Sequence, residues 1–191
     1  MSIATGRDIQ AHNLLSVPPS SVHIAIPSIC CMEALSALED ELKRRNRFEN
    51  DLNLQISQLQ RDTTSAHAKS LLSYLEQSLD ENKALVNDVQ ERLFQALEQI
   101  SVNAEMIALT VDTIQQSLNT AFIEKEPTDN LILYSILKDA HLYPTEVKVF
   151  LSGNVKEFDT IEVRQVLNDA GVRYFSATQS FLGWLNSQSI L

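Results

Sequence analysis

Glycine and proline are scarce in this sequence. It has 4 Gly and 5 Pro in 191 residues, and neither type occurs from residue 28 to residue 126. Turns and hairpins depend on these two residues, so a β-sandwich, a β-barrel or a βαβ repeat is not expected over this segment. The remaining glycines are isolated, which argues against the Gly-rich phosphate loops of nucleotide-binding folds. A long helical region is therefore predicted.

Cysteine and long apolar runs are also nearly absent. The two cysteines, Cys30 and Cys31, are adjacent, which suits neither a disulfide nor a zinc spacing. No run of 18 apolar residues occurs, so no integral membrane segment is expected. A basic region followed by an apolar stretch is missing at the N-terminus, so no signal peptide is expected. These features predict a cytoplasmic protein with reduced thiols.

Basic residues are fewer than acidic residues in this sequence. The chain has 15 Lys and Arg against 25 Asp and Glu, a net charge of −10. A nucleic-acid binder needs a basic footprint, so no nucleic acid is expected as a partner. One basic cluster (Lys43, Arg44, Arg45 and Arg47) is either a solvated helix face or a docking patch for an acidic partner.

Motifs of catalysis and metal binding are missing as well. The four histidines are scattered, without HxxxH or HExxH pairing. Neither GxSxG nor SxxK occurs. The sequence thus predicts no catalytic residue, no metal site, no cofactor and no enzyme activity.

Three segments follow from the patterning. Residues 1–31 contain three of the prolines and read as a flexible N-terminal arm, or as a short linear motif that orders on a partner. Residues 32–126 predict a helical coiled-coil stalk, with a hinge near 60–70 where the sequence is polar. Residues 127–191 predict a small α/β C-terminal domain of two or three strands. The expected fold class is mainly α with a small α+β C-terminal domain.

The stalk carries an apolar seam at alternating spacings of three and four. Such a stripe is typical of a coiled coil and needs a second copy, another chain or a fold-back to cover it. The seam phase slips after Ile100, and an Asn within the seam fixes register in such helices. The predicted dimer seam consists of Leu72, Leu75, Leu79, Asn82, Val86, Val89, Leu93 and Ile100.

The last third alternates helices and strands. Helices are predicted over 128–141 and 159–170, the second with a capping-box start at Asp159 and a C-terminal Gly171. Strands are predicted over 147–151 and 172–176. The apolar end around Trp184 is either a final helix or a last strand.

The arm, the acidic stalk and the small C-terminal unit together resemble the FliH/YscL family of type III secretion stator proteins. The resemblance is carried by the predicted helices at 104–121 and 128–141, the strand at 147–151, the helix at 159–170 and an aromatic ending. That ending comprises Tyr174-Phe175-Ser176, Phe181-Leu182 and Trp184-Leu185. A stalk without GxxxG repeats and an arm without Trp favour the virulence (injectisome) branch.

The resemblance implies a non-enzymatic stator that restrains a secretion ATPase. The stalk would form a homodimer, and the C-terminal domain would bind the ATPase through a surface containing Phe175, Phe181, Trp184 and Leu185. The arm would reach a sorting-platform protein, placing the molecule in the cytoplasm beside the inner-membrane apparatus. The alternatives are a generic coiled-coil adaptor and a type III secretion chaperone.

Overall fold

The computed structural model describes residues 1–188 and is mostly helical, with 68% of its residues in helices. In chain order the elements are α1 (Ile9–Ser16), β1 (Ile24–Pro27), α2 (Ser28–Leu59), α3 (Ala66–Asn103), β2 (Ala104–Ile107), α4 (Val111–Asn119), α5 (Pro127–Leu142), β3 (Lys148–Leu151), α6 (Val155–Phe158), α7 (Ile161–Asp169), β4 (Val172–Phe175) and α8 (Thr178–Gln188). The prediction of a mainly helical chain is confirmed, but strands are not confined to its C-terminal part. Residues 189–191 of the predicted C-terminal domain lie outside the described residues.

The chain forms two compact units. The helical unit comprises Met1–Arg7 and Glu33–Glu98. The α/β unit comprises Asp8–Met32 and Gln99–Leu191. The sequence boundaries at 31 and 126 therefore do not coincide with the division of the structure, because segments distant in sequence pack together in each unit.

The helical unit is built on a chain reversal between α2 and α3. Asp62 accepts hydrogen bonds from the backbone N–H groups of Thr64 and Ser65, both at 3.0 Å. These bonds lower the pKa of Asp62 and replace helical hydrogen bonds. The polar stretch near 60–70 is thus the point at which one long helix ends and the next begins.

Side chains of α2 meet those of α3 along this hairpin. Leu38 is buried in one cluster with Val89 and Leu93. Polar groups also match, since Arg45 Nη1 lies 3.4 Å from Asn82 Oδ1. Nearby, Lys83 Nζ lies 3.8 Å from Glu49 Oε1. A single chain therefore covers much of its own apolar stripe.

The α/β unit contains two separate pairs of parallel strands. β1 pairs with β2, with Ile24 opposite Ala104 and Pro27 opposite Ile107. β3 pairs with β4, with Lys148 opposite Val172. The chain thus leaves the first sheet into α2 and returns to it after α3.

The prediction of a helix over 104–121 is wrong in its first part. Residues 104–107 form β2, and α4 begins only at Val111, capped by the Thr110 hydroxyl. The phase slip after Ile100 precedes the end of α3 at Asn103, whose Nδ2 donates to the carbonyls of Leu15 and Ser16. A nearby strand provides backbone partners that the isolated segment lacks, so pairing overrides helix propensity.

Residues 1–31 contain α1, β1 and the first residues of α2 instead of forming a flexible arm. Asp8 caps α1 by accepting from the N–H of Ala11 at 2.8 Å. Its second oxygen accepts from the hydroxyl of Thr178 at 2.7 Å, which ties α1 to the start of α8. From Asp8 onwards this segment is therefore ordered by β2, Asn103 and α8 of the same chain.

The elements predicted over 128–176 are confirmed to within a few residues. α7 begins after Thr160, whose hydroxyl accepts from the N–H of Val163, so the cap is one residue later than predicted. Gly171 has φ of +71° at the end of α7. The apolar end around Trp184 is a helix, α8.

The core of the α/β unit gathers side chains from α5, α6, α7 and β4. Leu133 and Val163 are fully buried there, and Phe158 is 2% exposed. Among residues 1–188, no helix is long and apolar enough to cross a membrane.

Candidate functional site

The carboxyl end of β3 leads to several carboxylates of the α/β unit that interact with one another. Ligands of parallel α/β sheets bind beyond the carboxyl ends of the strands. The turn that follows β3 is fixed to β4, because the N–H of Ser152 donates to the carbonyl of Phe175 at 3.1 Å. In addition, the hydroxyl of Tyr174 donates to the Ser152 carbonyl at 2.8 Å. The residues after this turn are therefore held in place.

The short helix α6 and the start of the longer helix α5 bring carboxylates to this place. Glu157 lies on α6, which Phe158 anchors in the core through an edge-to-face contact with Phe150 at 4.9 Å. Asp129 lies in the first turn of α5 and Glu126 at its N-cap. We call Glu126, Asp129 and Glu157 the acidic group.

Asn154 and Lys156 contact this group directly. Asn154 Nδ2 donates to Asp129 Oδ2 at 2.9 Å. Lys156 Nζ lies 2.7 Å from Glu157 Oε1, and the Glu157 side chain is only 12% exposed. Each of these two carboxylates thus has a donor from the loop or helix after β3.

The surroundings of Asp129 raise the pKa of its carboxyl group. Burial raises its pKa, and the negative charges of Glu157 and Glu126 raise it further. The amide of Asn154 and the charge of Lys156 lower it in part. Asp129 therefore keeps its proton to a higher pH than an exposed carboxyl group does.

A second set of titratable groups lies near the other strand pair, β1 and β2. His23 Nε2 is 3.4 Å from Glu105 Oε2, and both side chains are more than half exposed. Burial and then the charge of Glu105 raise the pKa of Asp139, on α5. His23 and Glu105 lie at the amino ends of β1 and β2, where parallel sheets do not bind their ligands.

The predicted dimer seam stays a prediction. Asn82, Val89 and Leu93 are buried within the single chain, and Leu72, Leu75, Leu79, Val86 and Ile100 are half-buried. The seam residues up to Val89 and Leu93 belong to the helical unit, whereas Ile100 belongs to the α/β unit. The packing partners seen for this stripe are side chains of the same chain.

The aromatic residues predicted to bind an ATPase form an internal cluster. The ring of Phe175 lies 6.1 Å from Phe181 and 5.6 Å from Trp184, between centroids. Phe181 is buried, and the guanidinium of Arg173 lies 5.1 Å from the Trp184 ring. Leu185 is half-buried. The structure places these side chains together, mainly as packing of α8 on β4.

A family model described as a PIN domain matches residues 11–158. This chain belongs to the PIN domain family. The match covers well over half of the chain and includes all three members of the acidic group. No curated protein and no solved structure matches it.

Membership of the PIN domain family corrects several expectations. The resemblance to FliH/YscL stators is wrong, and with it the secretion ATPase, the sorting-platform partner and the stator role. PIN domains are typically nucleases, so the expectations of a non-enzymatic protein and of no nucleic acid are overturned as well. The net charge of −10 misled because it sums the whole chain and does not describe one site.

The acidic group was missed by sequence reasoning, although two signals were present. The first is a strand followed by a short polar turn, Ser152 to Asn154, with Glu157 shortly after. The second is the acidic start of a helix at Asp129. What joins them is tertiary packing, over 25 residues of sequence.

The residues present do not fit a divalent cation centre of the kind found in many nucleases. Such centres hold the cation between several carboxylates. Within residues 1–188, no three His, Cys, Asp or Glu side chains converge closely enough to hold a metal ion. The chemistry of the site is therefore derived from its own side chains.

Proposed function

We propose that this chain is a nuclease that hydrolyses phosphodiester bonds in RNA. The observation that carries the proposal is the PIN domain match over residues 11–158, because PIN domains are typically nucleases. Asp129 and Glu157 lie within the matched range, at the carboxyl end of a parallel strand. The acidic group is the proposed active site.

In this proposal Asp129 is the general base. Its carboxylate accepts a proton from water while the water oxygen bonds to phosphorus. The bond from phosphorus to the leaving ribose oxygen breaks, and that oxygen takes a proton from solvent. The raised pKa of Asp129 supports this role, because a general base works best when its pKa approaches the working pH.

Lys156 is the proposed contact for the substrate phosphate. Its side chain is 75% exposed, and its Nζ lies 2.7 Å from Glu157 Oε1. An ammonium binds a phosphate oxygen as a point charge. This charge offsets part of the repulsion between a phosphate and the acidic group.

Cleavage of a labelled single-stranded RNA tests the proposal, in buffer with and without Mg²⁺ or Mn²⁺. We expect the full chain to cleave, and Asp129→Asn to lower the rate by about 100-fold or more. Glu162→Gln is the matched control, because Glu162 is an exposed acidic residue in the first turn of α7. Absence of cleavage by the folded chain in all buffers would contradict the proposal, as would equal loss in both variants.

A further inference from the structure

Three arginines of the helical unit line one hollow in its surface, which has a volume of about 370 Å³. Among the described residues, the side chains around this hollow are those of Arg7, Glu41, Arg44, Arg45 and Phe48. Three positive charges and one negative charge give the hollow a net charge of +2, whereas the whole chain has a net charge of −10. The hollow is therefore a local basic site on an acidic protein, and its charge is complementary to that of an anion.

The two arginines of α2 are held in place and still keep free donors. Arg44 and Arg45 both donate to the carboxylate of Glu41, Arg45 through Nε at 2.8 Å. Arg45 Nη1 also lies 3.4 Å from Oδ1 of the buried Asn82, and the Arg44 side chain is 72% exposed. A guanidinium group has five N–H donors. Both arginines can therefore bind a further anion without releasing Glu41.

An exposed aromatic ring lies beside these charges. Phe48 follows Arg44 by four positions and Arg45 by three in α2, so the three side chains share one face of the helix. The Phe48 side chain is 45% exposed. It also lines a neighbouring hollow of about 340 Å³, together with Arg45 and Leu85 among others. The ring is thus accessible to a planar group that enters from solvent.

We infer that Arg7, Arg44, Arg45 and Phe48, which we call the arginine surface, bind single-stranded RNA. The arginines contact phosphate oxygens, and the ring of Phe48 stacks on an unpaired base. The basic cluster at 43–47 is thus a docking patch, and the exposed ring favours RNA over an acidic protein because a base has a flat face to stack on it. The choice of RNA rests on the proposed function.

The arginine surface belongs to the helical unit, whereas the acidic group belongs to the α/β unit. Substitutions can therefore weaken RNA binding while the proposed cleavage site keeps all its side chains. Binding is measured on the full chain carrying Asp129→Asn, so that the RNA stays intact. This chain is the parent of every variant below.

Fluorescence anisotropy of a labelled single-stranded polyuridine tests the role of the ring. We expect Phe48→Leu to weaken binding by about tenfold, because stacking of one base on an aromatic side chain is lost. Phe48→Tyr keeps an aromatic ring and should bind as the parent does. Phe94→Leu is the matched control, because Phe94 is a 50% exposed ring on α3 of the same unit, outside both hollows. It should leave the affinity unchanged.

The dependence of this affinity on salt tests the role of the arginines. Arg44→Gln should weaken binding and make the salt dependence less steep by about one phosphate contact, because fewer counterions are released from the RNA. Arg61→Gln removes the same charge at an exposed position after α2, outside the hollow. The salt dependence of this control should equal that of the parent.

Two results would overturn the inference. One is RNA affinity that is undetectable in the parent, or that is the same in Phe48→Leu and Arg44→Gln as in their controls. The other is a labelled polyglutamate peptide that binds as tightly as the RNA and loses affinity in Arg44→Gln, which would make the surface a site for an acidic protein.

The binding and cleavage assays can fail separately. RNA that binds through the arginine surface but is not cleaved by the native chain contradicts only the proposed function. Cleavage by the native chain, with Phe48→Leu and Arg44→Gln binding RNA as their controls do, contradicts only the inference.

Discussion

Asn130 donates through its side-chain amide to both the backbone carbonyl and the hydroxyl of Ser117, at 3.0 and 2.9 Å. Its Oδ1 accepts from the N–H groups of Phe122 and Ile123 at 3.1 and 3.3 Å. Asn130 is 2% exposed. This buried residue therefore fixes the loop between α4 and α5, next to Asp129 of the acidic group.

Truncation of Asn130 tests how much these hydrogen bonds contribute to the stability of the protein. Asn130→Ala leaves buried N–H and C=O groups without partners, which costs roughly 1–3 kcal/mol for each group left unsatisfied. We expect a loss of about 3 kcal/mol in the free energy of unfolding by urea. Asn119→Ala, at the exposed end of α4, should change it by less than about 0.5 kcal/mol. Equal losses of unfolding free energy in the two variants would show that the hydrogen bonds of Asn130 do not stabilise the fold.

The raised pKa of Asp129 predicts how stability depends on pH. The folded chain binds the proton more tightly than the unfolded chain, so stability falls as pH rises from the ordinary value of about 3.9 through the folded value. Asp129→Asn should therefore stabilise the protein at pH 7. At a pH below about 3.9 this gain should vanish.

Thermal unfolding of the native protein and of Asp129→Asn at several pH values measures the pH dependence of this gain in stability. Asp51→Asn is the control, because it removes the same charge at an exposed position of α2. A gain that is the same at all pH values would show that the charge of Asp129 is not its cause.

Two glycines should respond with opposite signs to alanine. Gly171 has φ of +71°, where a side chain is strained, so Gly171→Ala should cost about 1 kcal/mol. Gly183 lies inside α8, and an added Cβ would meet no atom within 4 Å apart from its chain neighbours and the backbone of its own helix. Gly183→Ala should stabilise by about 0.5–1 kcal/mol, since Ala favours the helix. Urea unfolding of both variants measures the difference, and equal signs would refute it.

Packing of the seam within one chain predicts a concentration-independent stability. Leu93 is 3% exposed, so Leu93→Ala should cost about 2–5 kcal/mol. Phe94→Ala, at the neighbouring side chain that is 50% exposed, should cost far less. If the midpoint of unfolding rises with protein concentration, the seam instead joins two copies, as the sequence pattern alone suggested.

Local patterns along the chain determined most of the helices. The gap without Gly or Pro, the apolar spacing and the polar stretch near 60–70 indicated two long helical segments. Caps and turn residues indicated the elements from α5 to β4, with Gly171 at the end of α7. These features depend on neighbours within a few residues, which a sequence displays directly.

Partners at long range were decided by the tertiary structure. The stripe that suggested a dimer is covered by α2, and residues 104–107 became a strand because β1 lies beside them. An amphipathic stripe indicates that an apolar surface must be covered, but it does not identify the segment or chain that covers it. Likewise, the backbone groups of a short segment pair with whichever partner the fold brings near.

The acidic group shows the same division. The sequence alone indicates that Asp129 is at the start of a helix and that Asn154 and Glu157 follow a strand and its turn. Only the fold brought Asn154 within 2.9 Å of Asp129, 25 positions away in the chain. The raised pKa of Asp129 follows from its burial and from the charges of Glu157 and Glu126 that the fold brings near it, because electrostatic interactions depend on distance and burial and not on position in the sequence.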